Sequence, residues 1–272
     1  MLPSLARLSR LARLGTLVLV MASTAAVAWA ADKRGIGLAD RSAADRVQQL
    51  KVSWYYTWSP SPMQDPVDAE FVPMVWGGNR LKDQMAELER GPRARVLLAL
   101  NEPDNVTQAT MSVQDAVAVW PRLSAAAQRI SSPATTSVDN GWSKRFDQQV
   151  KAKGLRVDFV AVHLYTPPDV RKFLQRLDAI HAMYGKPIWI TEFAVADWQA
   201  HGKPGANRYS EQEVARFVRE LLPELDRRDY VERYAWFGAG KLRRDSNEAT
   251  RTSRLFDSQG KLTDVGRAYA GL

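Results

Sequence analysis

The feature that most constrains this chain is an alternation of short apolar runs, typical of β-strands, with amphipathic stretches typical of helices. Several of the β-type runs are apolar at successive positions, as expected of strands that are buried on both faces. They occupy residues 35–39, 52–58, 71–76, 95–100, 130–137, 157–164, 187–193 and 231–237. Alternating strands and helices predict a parallel sheet whose strands are joined by helical crossovers.

The clearest helix prediction covers residues 210–228, where apolar side chains recur with helical spacing. Ser210 and Glu213 have the spacing of a capping box at its start. A second stripe covers 169–184 and includes His181, which we interpret as a core-facing histidine. Further helices are predicted at 42–50, 79–90, 112–129 and 143–153, whereas 59–70 contains three prolines and is predicted to be a loop.

Eight strands in roughly 240 residues fit a single (β/α)8 TIM-type barrel spanning residues 31–272. A doubly wound open sheet is the alternative α/β fold. Its glycine-rich phosphate-binding turn is missing from the sequence, which favours the barrel.

Residues 1–30 have the layout of a secretory signal peptide. Three arginines precede an apolar segment, and Ala28-Trp29-Ala30 forms a cleavage site of the A-x-A type. Cleavage after Ala30 predicts a secreted or periplasmic protein with no stable membrane association. An uncleaved anchor helix is the alternative, because the apolar segment approaches the minimum length of a membrane span.

Composition excludes several classes of function. The chain has no cysteine, so a disulfide scaffold and a cysteine nucleophile are excluded. Its three histidines lack the HExxH spacing, and no P-loop or GxGxxG motif is present, so we expect neither a metal nor a cofactor. The basic stretch 241–254 also contains acids and is interpreted as a solvated loop, which argues against nucleic-acid binding. A basic structural protein of the cell wall remains an alternative that rests on charge alone.

Two glutamates follow predicted strands at the edge where a barrel carries its chemistry. Glu102 comes directly after the run 95–100, and Glu192 ends the run 187–193. A pair of carboxyl groups is what the cleavage of a glycosidic bond requires, one as the acid and one as the nucleophile. Singly, each glutamate could instead be ordinary turn chemistry or a surface charge at a strand end.

The ordered motifs of the mature chain resemble glycoside hydrolase family 128, a group with a glycosyl hydrolase catalytic core similar to fungal alkali-sensitive linkage proteins. The resemblance covers about residues 35–272. It is carried by SWYYTW at 53–58, FVPMVWG at 71–77, LNEPD at 100–104, AVWPRL at 118–123, VDFVAVHLY at 157–165 and PIWITEFA at 187–194.

This resemblance implies a retaining endo-β-1,3-glucanase of clan A that acts on a β-glucan polysaccharide. It implies Glu102 as the general acid/base and Glu192 as the nucleophile. Asn101 would bind the sugar 2-hydroxyl, Tyr165 would orient Glu192, and Trp236 would be a sugar platform. The acid must be protonated near neutral pH, so we expect nearby Glu192 to raise the pKa of Glu102.

Aromatic side chains are the other expected part of a sugar site. We favour Trp76 and Trp236 as sugar ligands and include Trp58 from the proline-rich loop, whereas Trp120, Trp142 and Trp189 are interpreted as packing residues. His163 either binds sugar or the catalytic pair, or is a structural histidine. Thr57 and Asp40 depart from the family pattern near the predicted site, which leaves the subsite preference open.

Two alternatives of function remain beside a monomeric glucanase. One is the same chemistry on a β-1,4-linked or mixed-linkage glycan, because the linkage depends on the curvature of the cleft. The other is a non-catalytic glycan-binding barrel, against which the presence of both glutamates argues.

Overall fold

The protein is an α/β fold, seen here in a computed structural model that describes residues 33–238 and 247–272. The strands are β1 (Arg34–Gly37), β2 (Trp54–Tyr56), β3 (Glu70–Phe71), β4 (Met74–Val75), β5 (Ala94–Ala99), β6 (Ala127–Ile130), β7 (Val160–Thr166), β8 (Ile188–Val195) and β9 (Val231–Trp236). The helices are α1 (Ala44–Leu50), α2 (Leu81–Arg90), α3 (Val113–Ala125), α4 (Gly141–Ala152), α5 (Val170–Tyr184), α6 (Glu211–Asp226) and α7 (Asp264–Ala270). The predicted signal peptide 1–30 and residues 241–246 of the basic stretch 241–254 lie outside the described residues.

The named strands pair in parallel throughout the described part of the chain, which confirms the predicted parallel α/β class. One sheet has the order β3-β2-β1-β9-β8-β7 and the other has the order β4-β5-β6. An isolated parallel bridge between Ser131 and Phe159 joins the end of β6 to the start of β7. The two sheets are also connected by residues 70–75. Before Pro73 this segment pairs with β2 as β3, and after Pro73 it pairs with β5 as β4.

Two of the predicted strands differ from the structure. The run 71–76 is divided at Pro73 into β3 and β4, because proline has no amide hydrogen to donate to a neighbouring strand. The run 130–137 lies too late, since β6 is Ala127–Ile130 and the predicted helix 112–129 ends at Ala125. Gln128 and Arg129 favour a helix locally, but pairing with β5 overrides that preference.

The core forms three apolar clusters. Two lie between strands and helices, one around α5, α6 and α7 and one around α2, α3 and α4. The third draws side chains from both sheets, with Trp54, Met74, Leu98, Trp189 and Ala235 among its members. Strands that contribute to a helix-facing cluster and to this third cluster are buried on both faces, as the successive apolar residues predicted.

Residues Asp32–Leu272 group into one compact unit. Across the described ranges, none of the helices is both long enough and apolar enough to span a membrane.

Candidate active site

Four side chains meet at the carboxyl ends of three strands. Glu102 follows β5, His163 and Tyr165 lie on β7, and Glu192 lies on β8. In folds of parallel strands with helical crossovers, ligands and chemistry are placed at this edge. The structure therefore brings together both sequence-predicted glutamates and two of the predicted binding residues.

The backbone around Glu102 is strained. Leu100 has a φ of 58° and Glu102 a φ of 43°, in the left-handed region that side chains other than glycine rarely adopt. The amide of Glu102 donates a hydrogen bond of 2.6 Å to the carbonyl of Ala134, a residue that follows β6. This bond stabilises the backbone conformation of Glu102. Strain of this kind costs about 1–3 kcal/mol per residue and persists where the surrounding structure fixes it.

The loop after β5 is also anchored by Asp104, which the sequence interpretation left without a role of its own. Its carboxylate accepts from the amide of Thr136 at 3.1 Å and from Nδ2 of Asn140 at 2.7 Å. These contacts tie the loop that carries the first glutamate to the loop that follows β6.

Glu192 is aimed by an irregularity in β8. The β7–β8 register pairs Val162 with Ile190 and His163 with Glu192, so Thr191 is an extra residue on β8. A bulge of this kind redirects the side chains that follow it. The hydroxyl of Tyr56 donates to the carbonyl of Thr191 at 2.8 Å and stabilises the bulge.

Two donors hold the Glu192 carboxylate. Tyr165 donates its hydroxyl to Oε2 at 2.5 Å, and Trp58 donates Nε1–H to Oε1 at 2.9 Å. Burial, followed by the charge of Glu192, raises the pKa of Tyr165 well above its usual value, so its hydroxyl stays protonated and donates. Trp58 has a φ of 53°, and Gln84 donates to its carbonyl at 3.2 Å. Trp58 therefore orients a carboxylate, although the sequence predicted it as a sugar ligand.

His163 lies between the two carboxylates. Its Nδ1 is 2.9 Å from Oε1 of Glu102, and its Nε2 is 3.7 Å from Oε1 of Glu192. The imidazole side chain is almost fully buried, and Nε2 makes no hydrogen bond. Oε2 of Glu102 accepts from Nδ2 of Asn105 at 3.0 Å, a contact that no sequence pattern indicated.

This placement of His163 reverses the expected direction of one pKa. Burial raises the pKa of Glu102, but the hydrogen bond and charge of His163 and the hydrogen bond of Asn105 outweigh it, so that pKa lies below its usual value. Burial lowers the pKa of His163, but the charge of Glu192 and the contact with Glu102 outweigh it, so that pKa lies above the ordinary 6.5. The expectation of a raised pKa for Glu102 was wrong, because the hydrogen bond and charge of His163 and the hydrogen bond of Asn105 outweigh burial.

The carboxylates of Glu102 and Glu192 lie close to each other. One ligand atom from each of Glu102, His163 and Glu192 lies within 4.8 Å of the others. One imidazole nitrogen and two carboxylate oxygens are also a donor set that a divalent transition metal accepts. The sequence analysis offered the two glutamates as one possible partner of His163, and the structure places the imidazole between them. It did not expect the three side chains to form a possible set of metal ligands.

A cleft of about 540 Å³ adjoins Glu102, with His163, Tyr165 and Trp198 among its lining residues. Trp198 lies in a 3₁₀ turn at Trp198–Ala200, and its ring meets the Tyr165 ring edge-on at 5.8 Å. The sequence analysis gave Trp198 no role. The signal that would have found it is a tryptophan placed shortly after the strand that carries Glu192.

One other predicted site residue lies differently from the expectation. Trp236 is fully buried, packs against Phe193 and Tyr269, and donates Nε1–H to the carbonyl of Ser253 at 2.7 Å, so it is a core residue and not a sugar platform. Along β9 the side chains of Tyr234 and Trp236 face the helices, because alternate residues of a strand point to opposite sides.

The residue after Trp236 reaches the site instead. Phe237 lies 5.5 Å from the ring of Tyr165 and 6.3 Å from that of Trp58. Trp76 is half-buried at the end of β4, with the Arg80 guanidinium over its ring at 4.6 Å. Asn101 is buried, its Nδ2 donates to Gln108 at 3.4 Å, and its Oδ1 has no hydrogen-bond partner.

Comparison with known proteins places this geometry in a family. The model of the family described as "Glycosyl hydrolase catalytic core" matches residues 27–269. Alkali-sensitive linkage protein 1 of Schizosaccharomyces pombe is 28% identical over 253 residues, which are 87% of this chain and 44% of that protein. The chain thus spans less than half the length of this curated relative.

Two solved structures cover 88% of the chain. An endo-β-1,3-glucanase of glycoside hydrolase family 128 from Amycolatopsis mediterranei, in complex with laminarihexaose, is 31% identical with a TM-score of 0.72 over 99% of its length. An exo-β-1,3-glucanase of the same family from Cryptococcus neoformans is 29% identical with a TM-score of 0.71 over 98% of its length. On these matches, and with two glutamates at the expected strand ends, the chain belongs to the glycosyl hydrolase catalytic core family and, within it, to glycoside hydrolase family 128.

Proposed function

We propose that this glycoside hydrolase is an exported, retaining endo-β-1,3-glucanase that acts through Glu102 and Glu192 at the open end of a (β/α)8 barrel. The observation that carries the proposal is the cluster in which carboxylate oxygens of both glutamates lie within 4.8 Å of each other around His163. Retaining glycosidases hold their carboxyl groups about 5–5.5 Å apart, whereas inverting enzymes leave about 6.5–9.5 Å for a water molecule. The short separation favours double displacement.

The first step of this mechanism divides the two glutamates by their hydrogen bonds. Glu192, held by Trp58 and Tyr165, attacks the anomeric carbon, and the bond from that carbon to the leaving oxygen breaks. Glu102 gives its proton to the leaving oxygen. His163 Nδ1 lies 2.9 Å from Oε1 of Glu102, so a proton on this nitrogen can pass directly to Glu102.

The second step follows from the loss of one charge. Once Glu192 is esterified, its negative charge no longer stabilises the imidazolium of His163, so the pKa of His163 falls. Glu102 then accepts a proton from water, which attacks the anomeric carbon and releases Glu192. His163 thus acts as a proton store: it gives a proton to Glu102 in the first step and receives one back from Glu102 after the second.

The barrel and the substrate have support of different kinds. Two observations support a closed barrel. One is the bridge between Ser131 and Phe159, and the other is the third apolar cluster, which contains side chains from both sheets. The β-1,3-glucan substrate is supported by the activity of the two similar glucanases and by laminarihexaose bound to one of them. Endo action is proposed from the first of these. Export to the periplasm or the medium, with cleavage after Ala30, rests on the signal-like segment of the sequence.

The deciding experiment measures product release from linear β-1,3-glucan by the purified protein, beside Glu102→Gln, Glu192→Gln and a control, Glu220→Gln, on the exposed face of α6. We expect a ladder of oligosaccharides and a rapid fall in viscosity from the wild type and the control, and neither from the two site variants. Release of glucose alone would replace endo with exo action. Cleavage of a β-1,4 or mixed-linkage glycan instead would replace the substrate, and binding without cleavage of any β-glycan would overturn the enzyme proposal.

Azide rescue assigns the two roles separately. With an activated β-laminaribioside, Glu192→Ala should form the α-glycosyl azide, because azide takes the place of the missing nucleophile. Glu102→Ala should form the β-glycosyl azide, because azide then attacks the glycosyl-enzyme in place of water. The opposite pairing of anomers with variants would exchange the two assignments.

A further inference from the structure

The imidazole of His163 has one nitrogen to which the described residues offer no hydrogen bond. The side chain is only 1% exposed, and Nε2 has no hydrogen-bond partner. The atom that faces it is Oε1 of Glu192 at 3.7 Å, which is beyond hydrogen-bond distance. Buried polar atoms are almost always satisfied, so a nitrogen in this position calls for a functional explanation.

The other nitrogen of the ring fixes the direction of this one. Nδ1 lies 2.9 Å from Oε1 of Glu102, and a neutral imidazole that donates from Nδ1 has a lone pair on Nε2. Histidines that bind metal ions are held in the same way, because a carboxylate accepts from the second nitrogen and fixes the ring and its tautomer. Glu102 therefore holds Nε2 opposite the carboxylate of Glu192.

The separation between these two facing atoms is close to that of two ligands of one metal ion. Zinc binds nitrogen at about 2.0–2.1 Å and carboxylate oxygen at about 2.0–2.2 Å, so two tetrahedral ligands lie about 3.4 Å apart. The 3.7 Å between Nε2 of His163 and Oε1 of Glu192 is within about 0.3 Å of that value. A side-chain shift of this size brings both atoms to coordination distance.

The carboxylate of Glu192 is fixed as a metal ligand requires. Trp58 donates to Oε1 at 2.9 Å and Tyr165 donates to Oε2 at 2.5 Å, and an oxygen that accepts one hydrogen bond keeps a second lone pair. Hydrogen bonds of this kind to a ligating carboxylate are typical of metal sites. The two donors also reduce the entropy that is lost when an ion binds.

The charge and the access of the cluster favour a divalent cation. Within residues 33–238 and 247–272, Glu102, His163 and Glu192 are the one group of three potential ligands whose atoms lie within 4.8 Å of one another. The two carboxylates supply two negative charges, which an ion of charge +2 neutralises. Glu102 and His163 both line the cleft of about 540 Å³, which gives an ion a path from solvent.

The mixture of nitrogen and oxygen donors favours transition metals. Imidazole nitrogen suits zinc, copper and nickel, whereas magnesium and calcium prefer sites made of oxygen atoms. Two protein ligands leave further coordination positions for water. An ion held in this way is exchangeable, unlike the ions of closed four-ligand sites that contribute to folding.

We propose that Nε2 of His163 and Oε1 of Glu192 form a site for a divalent transition-metal ion such as Zn²⁺, and that this ion inhibits the glucanase reversibly. Glu102 supports the site by accepting from Nδ1. The bound ion takes up the negative charge that Glu192 needs for its attack on the anomeric carbon, and it occupies space that the sugar needs. The inhibition rests on the proposed function, whereas the binding of the ion does not.

The first test measures binding without catalysis. Protein that carries no polyhistidine tag is freed of metal with a chelator and titrated with Zn²⁺ in a calorimeter. The proteins compared are the wild type, His163→Ala, Glu192→Gln and a control, His201→Asn, which removes an exposed histidine whose Nδ1 lies 2.9 Å from Oδ1 of Asn247. Circular dichroism checks the fold of each variant, and Glu192→Gln decides alone if His163→Ala does not fold.

We expect the wild type and His201→Asn to bind one ion per chain with equal Kd. In His163→Ala and Glu192→Gln the Kd should rise by at least about tenfold, the smallest loss expected even for a group that only supports a metal ligand. Mg²⁺ should not compete for the site. No binding of Zn²⁺ by the wild type would overturn the inference. So would an unchanged Kd in either folded site variant, which would mean an adventitious ion only.

The second test measures inhibition. Initial rates of cleavage of linear β-1,3-glucan are followed in the wild type and His201→Asn with increasing Zn²⁺, and again after a chelator is added. Zn²⁺ should raise KM without changing kcat, with an inhibition constant equal to the calorimetric Kd, and the chelator should restore the rate.

The two tests separate failure of this inference from failure of the proposed function. Full activity at Zn²⁺ concentrations that saturate the calorimetric site would overturn the inhibition. No cleavage of any β-glycan in metal-free buffer would instead refute the proposed function, and the titration would still decide the metal site.

Discussion

At the scale of single residues, the two glutamates differ in what holds them. Glu192 receives two neutral donors, from Trp58 and Tyr165, whereas Glu102 receives His163 and Asn105. Donors directed at a carboxylate favour its charged form. The proposed nucleophile, Glu192, therefore has two neutral hydrogen-bond donors, whereas the proposed acid, Glu102, has a partner that can exchange a proton with it.

The contact of Trp58 with the nucleophile gives the first residue-scale prediction. Trp58→Phe should lower kcat/KM on β-1,3-glucan by about 10–100-fold, because a hydrogen bond to a charged group contributes about 1.5–3 kcal/mol. The matched control is Trp142→Phe, which removes an indole hydrogen bond of 2.8 Å to the carbonyl of Met111. An unchanged kcat/KM in Trp58→Phe would show that this contact does not orient Glu192.

The proton store gives a second prediction, on pH. The pKa of His163 is raised above 6.5 and that of Glu102 is lowered. The apparent pKa at which the pair loses its shared proton should therefore be the raised pKa of the histidine. In His163→Ala the proton can bind only to the carboxyl group of Glu102, whose ordinary pKa is 4.5. The alkaline limb of kcat/KM should therefore move to lower pH by at least one unit.

The measurement is the pH profile of kcat/KM for wild type, His163→Ala and His163→Asn. Asparagine restores a donor to Glu102 but no titratable nitrogen, so its limb should stay with that of the alanine variant while part of the rate returns. A limb at the wild-type position in both variants would contradict the proton store.

At the scale of elements, helix α6 shows that local signals can be complete. Ser210 accepts from the amide of Glu213 at 3.2 Å, and the Glu213 carboxylate accepts from the amide of Ser210 at 2.8 Å, which confirms the predicted capping box. The apolar stripe of the helix is buried as its spacing predicts.

Ser210→Ala should lower the free energy of unfolding by about 1 kcal/mol and the melting temperature by about 2–4 °C. Ser258→Ala, at an exposed position, is the control, and equal melting temperatures of the two variants would contradict this account.

The turn beneath Trp198 is an element that depends on one charge. The hydrogen bonds from Arg208, followed by other contacts, lower the pKa of Asp197 from 3.8 to about 2. Because the folded pKa is depressed, this group stabilises the fold above about pH 3.8, and the stabilisation is lost as pH falls through about 2. Asp197→Asn should thus lower the melting temperature at pH 7 by several degrees, and the difference should shrink between pH 4 and pH 2. A difference that does not change with pH would assign the effect to packing instead of charge.

At the scale of the whole molecule, the end of the strands opposite the site is tied together by charges. Glu70 at the start of β3 pairs with Arg95 of β5 and with Arg233 of β9, and Arg129 of β6 pairs with Glu232 of β9 at 2.8 Å. All three pairs join strands that are not hydrogen-bonded neighbours. Glu70–Arg95 and Arg129–Glu232 link the two sheets, whereas Glu70–Arg233 joins two strands of one sheet. We interpret these charged pairs as stabilising the fold, since the candidate active site lies at the other end of the strands.

A prediction at this scale separates stability from activity. Glu70→Gln should lower the free energy of unfolding by about 1–3 kcal/mol, because it leaves the mostly buried Arg233 without its carboxylate. Activity per folded molecule should not change. The control is Glu89→Gln, which breaks an exposed pair with Arg122 on neighbouring helices and should lower the stability less. Urea unfolding measures both, and equal midpoints for the two variants would show that the pairs do not stabilise the sheet.

Local patterns in the sequence predict the α/β class of the fold, most of its strands and helices, and the two glutamates as candidate site residues. These depend on local patterns, namely successive apolar residues, helical spacing, a cap, and an acid placed directly after a buried run. Glu102 and Glu192 are recognisable because a carboxyl group next to a strand such as 95–100 is costly unless it has partners. The limits of the predicted strands were less certain where a proline or a polar pair, such as Gln128 and Arg129, competes with sheet pairing.

Only the tertiary structure decided which side chains face the site and what holds them. The side on which Trp236 lies depends on the phase of β9, and the aim of Glu192 depends on the extra residue Thr191 in β8, neither of which changes the apolar pattern. The place of His163 between two carboxylates, and of Trp198 over the cleft, arises from contacts between residues far apart in the chain. A charge or an aromatic ring acquires its function from the neighbours that folding brings to it, and those neighbours are not written in its local sequence.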